Sequence, residues 1–227
     1  MKTKVLYEDT NILAIDKPSW ILVDEIATKY PKFILAHRLD QGTSGVMLLA
    51  KNEKAYEFLK AQFKGRTIKK IYHAIVSGHL KNDHGIINKP IGRSPKDFRR
   101  HLSGRGARGE MREAETSYKV LKRFSYPTQP SPKGRAKILP FGEEKGGVKF
   151  SYLEIKPKTG RTHQIRVHMK YLNHPVVCDS LYNPDQPCPK GLKRLALHAK
   201  SIEFTNLQEK IIKVESPLPK EFEMVVK

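Results

Sequence analysis

The sequence is poor in cysteine and in acidic side chains, and it lacks any long apolar run. Two cysteines in 227 residues cannot form a disulfide framework, and we expect both to be reduced thiols. No stretch of eighteen apolar residues is present, which excludes a helical membrane span. The opening residues, MKTKVLYEDT, contain no apolar segment, so no secretory signal is expected. These absences favour a cytoplasmic protein without a membrane partner.

Basic residues outnumber acidic ones by 43 to 23, which gives a formal net charge of +20. The excess is concentrated in residues 61–140, which carry 19 basic and 5 acidic side chains, whereas residues 1–60 carry 9 and 8. Such a concentrated positive field favours a polyanionic partner, and nucleic acid fits best because no basic amphipathic helix is evident. The alternative is a solvated basic surface with no dedicated partner.

Short apolar runs bounded by turn residues indicate that strands outnumber helices. Residues 5–7 and 12–15 predict an N-terminal hairpin, and residues 68–76 predict a longer strand. Strands and helices do not alternate strictly along the chain. We therefore expect an α+β fold with a mixed, mainly antiparallel sheet, flanking helices and long basic loops.

Two helices have recognisable ends. Residues 53–64 predict a helix with Asn52 as its N-cap and Gly65 just beyond its last turn. A second helix is predicted to begin at a Thr162 cap and to run to about Leu172.

Two segments, residues 93–112 and 125–147, lack an apolar period and are rich in glycine, proline and basic residues. The first holds seven basic side chains against two acidic ones. Loops of this length in a compact domain are usually functional or disordered. We expect both segments to be mobile basic loops that contact a polyanion, within a single domain spanning residues 1–227.

The densest polar cluster occupies residues 36–45, between two apolar runs. Two glycines, a threonine and a serine indicate a tight turn around Asp40. A carboxylate where the backbone leaves a sheet is a common functional arrangement. A turn acid that caps neighbouring N–H groups is an equally good interpretation from the residues alone.

The sequence HRLDQGTSG at residues 37–45 resembles the signature of the RluA family of pseudouridine synthases. Further motifs of that family occur in the expected order, so that the resemblance covers about residues 5–216. They are DKP at 16–18, KIYHAIVSG at 70–78, PIGR at 90–93, TGRTHQIRVH at 159–168, HP at 174–175 and LHA at 197–199.

The resemblance implies the pseudouridine synthase fold and an isomerase that breaks the N1–C1′ glycosidic bond of a uridine in RNA and rejoins the base through C5. It implies neither a metal nor an organic cofactor. Many relatives carry a small N-terminal RNA-binding domain, and this chain is expected to be a catalytic domain without one. A monomer that binds RNA with the catalytic domain itself is therefore expected.

The same resemblance assigns three catalytic residues. Asp40 takes the position of the catalytic aspartate, as a nucleophile or as a base. Arg161 takes the position of the arginine that pairs with that aspartate, where a guanidinium favours the ionised carboxylate. Tyr72 takes the position of the tyrosine that stacks on the target uracil and assists proton removal from C5, although spacing alone favours a core tyrosine there.

Five further residues are expected to contact RNA. Arg38 matches a position that can fill the space left by a flipped base. The motif neighbours His37 and Thr43 are assigned to substrate binding, and Arg99 and Arg100 of the first basic segment are expected to hold the RNA backbone.

The sequence does not choose between tRNA and a large-subunit rRNA stem-loop as the substrate. The competing function is a non-catalytic, ribosome-associated RNA-binding protein on the same fold. The presence of all three catalytic residues argues against that alternative.

Overall fold

A computed structural model describes residues 3–104, 106–126, 128–129 and 147–227. The helices in these ranges are α1 (Val23–Lys29), α2 (Glu53–Gly65), α3 (Gln164–Tyr171) and α4 (Lys220–Val226). The strands in the same ranges are β1 (Lys4–Glu8), β2 (Ile12–Lys17), β3 (Ile34–Leu35), β4 (Ser44–Ala50), β5 (Lys69–Ser77), β6 (His84–Asn88), β7 (Ile91–Arg93), β8 (His101–Ser103), β9 (Arg108–Arg112), β10 (Glu115–Tyr126), β11 (Thr128–Gln129), β12 (Val148–Pro157), β13 (Cys188–Pro189), β14 (Leu197–Thr205) and β15 (Ile211–Glu215).

The chain forms two compact units, and the first comprises Met1–Tyr72 and His198–Leu218. Its sheet has the order β1-β2-β4-β14, with β15 beside β14 and the short β3 beside β4. The predicted hairpin is confirmed by the antiparallel pairing of β1 with β2. Strand β14 pairs in parallel with β4, although about 150 residues separate them.

Strand β4 is buried along its whole length because both of its faces are covered. Val46, Leu48 and Ala50 share a cluster with Ala55 and Leu59 of α2. The alternate residues Met47 and Leu49 pack into a second cluster, which contains Val23 and Ile26 of α1. The period of two along a strand therefore sends successive side chains to two different cores.

The second unit comprises His73–Leu197 and Pro219–Lys227. Its larger sheet has the order β5-β12-β10-β6, and β12 pairs antiparallel with β10 and β10 with β6. A three-stranded sheet, β8-β7-β9, and the pair β11-β13 complete the strands of this unit that the structure describes. The expected α+β architecture with a mainly antiparallel sheet is thus confirmed.

The predicted basic loop over residues 93–112 contains the end of β7 and the whole of β8 and β9, so it is not a loop throughout. Strand β7 forms the centre of an antiparallel sheet, with β8 on one side and β9 on the other. The residues of β9 are all exposed, so no apolar period marks this strand in the sequence. Within the predicted loop over 125–147, residues 125 and 126 end β10 and residues 128–129 form β11, while residues 127 and 130–146 lie outside the described residues, as does Arg105.

The helix predictions are confirmed in position but not at every end. Asn52 caps α2 as expected, its side chain accepting a hydrogen bond from the amide of Ala55 at 2.9 Å. The left-handed residue that follows α2 is Arg66, one position after the predicted Gly65. Helix α3 begins later than predicted, because His163, not Thr162, occupies the N-cap position with φ of 55°.

The two cysteines are joined. Cys178 and Cys188 form a disulfide within the second unit, which corrects the expectation of two reduced thiols. Their Cα atoms are 5.3 Å apart across a ten-residue separation. This closeness comes from the fold around β13 and is not evident from the spacing of the cysteines in the sequence.

Gly45 allows the close approach of β4 and β14. Its φ is +111°, and a Cβ atom there would lie 2.2 Å from the carbonyl oxygen of Ala199. We expect Gly45→Ala to lower the free energy of unfolding by about 3 kcal/mol or more, through both the clash and the strained backbone.

Gly106→Ala is the matched control for this experiment, because Gly106 also has a positive φ but no atom lies within 4 Å of its Cβ position. It isolates the conformational strain, which costs about 1–2 kcal/mol. Urea unfolding of both variants measures the difference, and equal losses would contradict a steric role for Gly45.

Candidate active site

The turn between β3 and β4 carries Asp40. The amide of Thr43 donates to the carbonyl oxygen of Asp40 at 3.0 Å, which closes the turn. Leu39 is buried in the cluster beneath α1, whereas Arg38 is exposed and Asp40 is partly buried. The apolar residue anchors the turn, so that its polar neighbours are held at the surface of the first unit.

A buried lysine fixes the position of this turn. Lys17, the last residue of β2, is completely buried, and its Nζ donates to the carbonyl oxygens of Pro18, Ile21 and Gln41 at 2.9, 2.8 and 3.2 Å. A buried ammonium group must be compensated by oxygen atoms. These bonds therefore join the segment after β2 to the residue that follows Asp40.

Two further hydrogen bonds join the same segments. The hydroxyl of Ser19 donates to the carbonyl oxygen of Gly42 at 3.0 Å. The backbone amide of Trp20 donates to the carbonyl oxygen of Gln41 at 2.8 Å. The DKP motif and the motif around Asp40 therefore form one structural unit. The sequence pattern did not identify Lys17 as a site residue, although its place within the DKP motif is the signal that could have done so.

Tyr72 lies close enough to Asp40 for the negative charge of the carboxylate to act on the tyrosine hydroxyl. Its ring packs against the cluster that contains Leu39. Burial raises the pKa of Tyr72 well above its usual 10, and the negative charge of Asp40 raises it further. The hydroxyl is therefore neutral at physiological pH, and the structure brings together the predicted aspartate and tyrosine within the first unit.

His37 is held by the backbone and by a neighbouring ring. Its Nε2 accepts a hydrogen bond from the amide of Leu48 at 3.0 Å, and its ring lies 4.9 Å from that of Phe63. Burial, followed by the positive charge of Lys70, lowers the pKa of His37 to about 4, against a smaller opposing effect of its hydrogen bond with the backbone of Arg38. This neutral imidazole supports the turn, so its predicted RNA contact stays a prediction.

Thr43 and Ser44 lie at the other end of the turn. Thr43 is buried, and its hydroxyl has no hydrogen-bond partner among the residues that the structure describes. The hydroxyl of Ser44 lies 2.8 Å from Nδ1 of His198 on β14. The predicted RNA contact of Thr43 would require its hydroxyl to become accessible.

Arg161 belongs to the second unit, in the segment that precedes α3. The buried side chain of Gln164 orders this segment, because its Oε1 accepts from the amide of Arg161 at 3.0 Å and from the hydroxyl of Thr159 at 2.6 Å. The Nε of Arg161 donates to the carbonyl oxygen of Glu113 at 2.9 Å. Its guanidinium is thus anchored through Nε, and its pairing with Asp40 stays a prediction.

Arg161 also lines a cavity of about 480 Å³ in the second unit, which we call the arginine pocket. Its walls come from β7, from β9 and from the segment before α3. The charged lining residues are Arg93, Arg108, Glu110, Arg112 and Arg161.

Arg99 and Arg100 are both engaged by one acid. Arg99 donates from Nε and Nη2 to the two carboxylate oxygens of Asp97 at 3.0 and 2.9 Å, and Nε of Arg100 lies 3.6 Å from the same group. The hydrogen bonds from Arg99 lower the pKa of Asp97 to about 2. An RNA phosphate would compete with Asp97 for these arginines.

Two absences apply to the part of the chain that the structure describes. No group of three or more histidine, cysteine, aspartate or glutamate side chains is arranged to hold a metal ion. No helix there has the length and apolar character needed to cross a membrane.

Comparison with known proteins assigns the chain to a family. The family model described as RNA pseudouridylate synthase matches residues 11–171. The chain belongs to the RluA family of RNA pseudouridine synthases. It is accordingly an isomerase that acts on RNA.

Individual relatives of this synthase agree with the assignment. An uncharacterized RNA pseudouridine synthase of Helicobacter pylori strain J99 is 36% identical, over 98% of this chain and 78% of the relative. The dual-specificity RNA pseudouridine synthase RluA of Vibrio parahaemolyticus is 33% identical, over 89% and 77%. The ribosomal large subunit pseudouridine synthase C of Vibrio vulnificus is 30% identical, over 98% and 68%.

The fold of the synthase matches that of a solved relative. The structure of human RNA pseudouridylate synthase domain containing 1 aligns with a TM-score of 0.79 and 26% identity, covering 96% of this chain and 84% of that one. The expected pseudouridine synthase fold is therefore confirmed.

The low pKa of His37 makes stability depend on pH. The unfolded state binds a proton near pH 6.5 and the folded state only near pH 4, so acidification between these values favours unfolding. We expect the free energy of unfolding to fall by about 3 kcal/mol on this account as pH drops from 6.5 to 4.

His37→Gln should remove this part of the pH dependence, since the amide oxygen can accept from Leu48 without titrating. The control is His84→Gln, because His84 is exposed. Urea unfolding at several pH values measures the difference between the variants. Parallel curves for the wild type and His37→Gln would contradict the assignment.

Proposed function

We propose that this synthase isomerises specific uridines in structured tRNA or large-subunit rRNA, with Asp40 as its catalytic carboxylate. The observation that carries the proposal is the fixed turn of the first unit. Lys17 and Ser19 bond to residues on this turn, and Tyr72 is near enough for the charge of Asp40 to raise its pKa. An aspartate that only caps a turn would not require this support from a second segment.

The chemistry assigned to Asp40 is attack on C1′ or proton abstraction that leads to a glycal. A carboxylate is a weak nucleophile, so its direction and ionisation must be controlled. The fixed turn controls the direction. The guanidinium of Arg161 is proposed to favour the ionised form.

Tyr72 is proposed to stack on the target uracil. Its neutral hydroxyl is suited to a buried aromatic contact, since a tyrosinate would be repelled by Asp40. In the same proposal the hydroxyl oxygen of Tyr72 accepts the C5 proton while its own proton passes to the free carboxylate of Asp40, so Tyr72 relays the proton and never becomes a tyrosinate.

The target base must leave its stack before either residue can reach it, and extrusion costs a few kcal/mol. Arg38 is exposed next to the buried Leu39, where its planar group can occupy the space that the base vacates. His37 and Thr43 complete the proposed substrate-binding set, in which Arg99 and Arg100 bind the RNA backbone.

The choice of RNA is part of the proposal. One relative is named a dual-specificity RNA pseudouridine synthase, and another is named for the ribosomal large subunit. Both names support structured RNA as the substrate class. We propose that the synthase acts as a cytoplasmic monomer, with residues 1–227 serving as one catalytic domain.

Asp40→Asn should abolish product formation while RNA binding survives, because the substitution removes the charge and keeps the shape. We expect a loss of about 10²- to 10⁴-fold in turnover. Pseudouridine maps of total tRNA and rRNA from cells with the wild-type gene, the variant gene and no gene measure this effect.

The expected map lacks the same uridine sites in the variant and in the deletion strain, and those sites identify the substrate. Asp24→Asn is the matched control, since Asp24 is an exposed carboxylate on α1. Unchanged maps in the deletion strain would overturn the proposed function, and turnover by Asp40→Asn within a few-fold of the wild type would overturn the role of Asp40.

Tyr72→Phe separates stacking from proton transfer. The phenyl ring retains the stacking surface, so we expect the RNA dissociation constant to stay within about threefold, whereas turnover falls by about 10²-fold or more. Single-turnover kinetics and fluorescence anisotropy measure the two quantities. Full turnover by Tyr72→Phe would show that the hydroxyl transfers no proton.

A further inference from the structure

The arginine pocket has a strong excess of positive charge. Four arginines and one glutamate line it, which gives a net charge of +3 around a cavity of about 480 Å³. Specific ligand sites commonly enclose about 300–1,000 Å³, so the pocket has room for a phosphate group with its attached ribose. Such a concentration of guanidinium groups indicates an anionic ligand.

The four arginines are not equally available. Arg112 donates to Oε2 of Glu110 from Nε at 3.2 Å and from Nη2 at 3.0 Å, and Arg161 is anchored through Nε. Arg93 and Arg108 have no hydrogen bond or ion pair from their side chains within the described ranges. The uncompensated charge of the pocket therefore belongs mainly to these two residues.

The sheet places the two uncompensated arginines directly opposite each other. Arg93 on β7 and Arg108 on β9 are register partners in the antiparallel pair. The Cβ atoms of such partners lie about 5 Å apart on the same face, and like charges in this position destabilise a sheet. An anion bound between the two guanidinium groups would convert this repulsion into a pair of charge-assisted hydrogen bonds.

Glycines keep this part of the wall open. Gly109 follows Arg108, has a φ of +75°, and has no atom within 4 Å of its Cβ position. Gly160, which precedes Arg161, also lines the pocket. An anion can therefore approach the backbone as well as the guanidinium groups.

We propose that the arginine pocket binds a backbone phosphate of the RNA substrate, which is clamped between Arg93 and Arg108. The inference rests on the proposed function, because it takes RNA as the source of the phosphate. It also distinguishes residues within the basic segment, since Arg99 is already paired with Asp97 whereas Arg93 and Arg108 are not. A free nucleotide offers the same phosphate chemistry and is the competing source.

The test is RNA binding by the full chain as a function of salt concentration, for the wild type and for Arg93→Gln/Arg108→Gln. Loss of one phosphate contact should reduce the slope of log K against log salt by about one. The dissociation constant for a tRNA stem-loop should rise by about ten- to a hundredfold at low salt, as expected for lost charge-assisted hydrogen bonds.

Lys54→Gln/Lys64→Gln is the control, because it removes two exposed charges from α2 in the first unit. We expect it to leave the slope unchanged. A similar reduction of the slope in both double variants would mean that the chain responds only to net charge, and would overturn the proposal.

Thermal unfolding tests whether the arginine variant loses RNA affinity only because its fold is less stable. Removal of the opposed charges should leave the melting temperature of Arg93→Gln/Arg108→Gln equal to that of the wild type or above it. Inorganic phosphate should raise the melting temperature of the wild type more than that of this variant. A melting temperature clearly below that of the wild type, together with equal responses to phosphate, would overturn the proposal.

Two further outcomes are distinguishable. If the arginine variant loses affinity for a nucleoside triphosphate but binds RNA with an unchanged slope, the pocket holds a free nucleotide and the RNA inference is wrong. If the wild type forms no pseudouridine in any RNA, the proposed function fails. The salt slopes would still report whether the pocket binds an RNA phosphate.

Discussion

The completely buried ammonium group of Lys17 is the constraint on which the candidate active site depends. A charge in this position requires oxygen atoms around it, and three backbone carbonyls from two separate segments supply them. Neither segment can move away without leaving the ammonium or the carbonyls unsatisfied. The buried bond from Lys17 to the carbonyl of Gln41 therefore holds Asp40 in position, in addition to the local preferences of its glycine-containing turn.

The two units carry different physical properties. In the first unit, which carries 16 basic and 11 acidic side chains, burial and the charge of Asp40 raise the pKa of Tyr72. The second unit carries most of the excess positive charge, with 27 basic and 12 acidic side chains. A broad positive field attracts any polyanion, whereas the chemistry proposed for Asp40 concerns a single base. The proposed phosphate contact of Arg93 and Arg108 and the proposed chemistry of Asp40 therefore belong to different units.

The sequence predicted the features that depend on neighbouring residues, and missed those that depend on distant ones. The Asn52 cap and the β1-β2 hairpin follow from local turn and cap chemistry, and both were confirmed. Strand β9 was missed because an exposed strand needs no apolar period, only the partner backbone of β7. The motifs point to Asp40 and Tyr72 as candidates and include Lys17, but the bond of Lys17 to the carbonyl of Gln41 depends on the fold and could not be predicted from them.

The parallel pairing of β4 with β14 has a consequence for biosynthesis. The strand that carries Ser44 and Gly45 meets its partner, with His198 and Ala199, only after about 150 intervening residues have been made. The cost of closing so long a loop grows only slowly with its length, but the partner strand emerges late from the ribosome. Lys17 and Ser19 can fix the turn that carries Asp40 early, whereas the pairing of Ser44 and Gly45 with β14 forms only when most of the chain has been made.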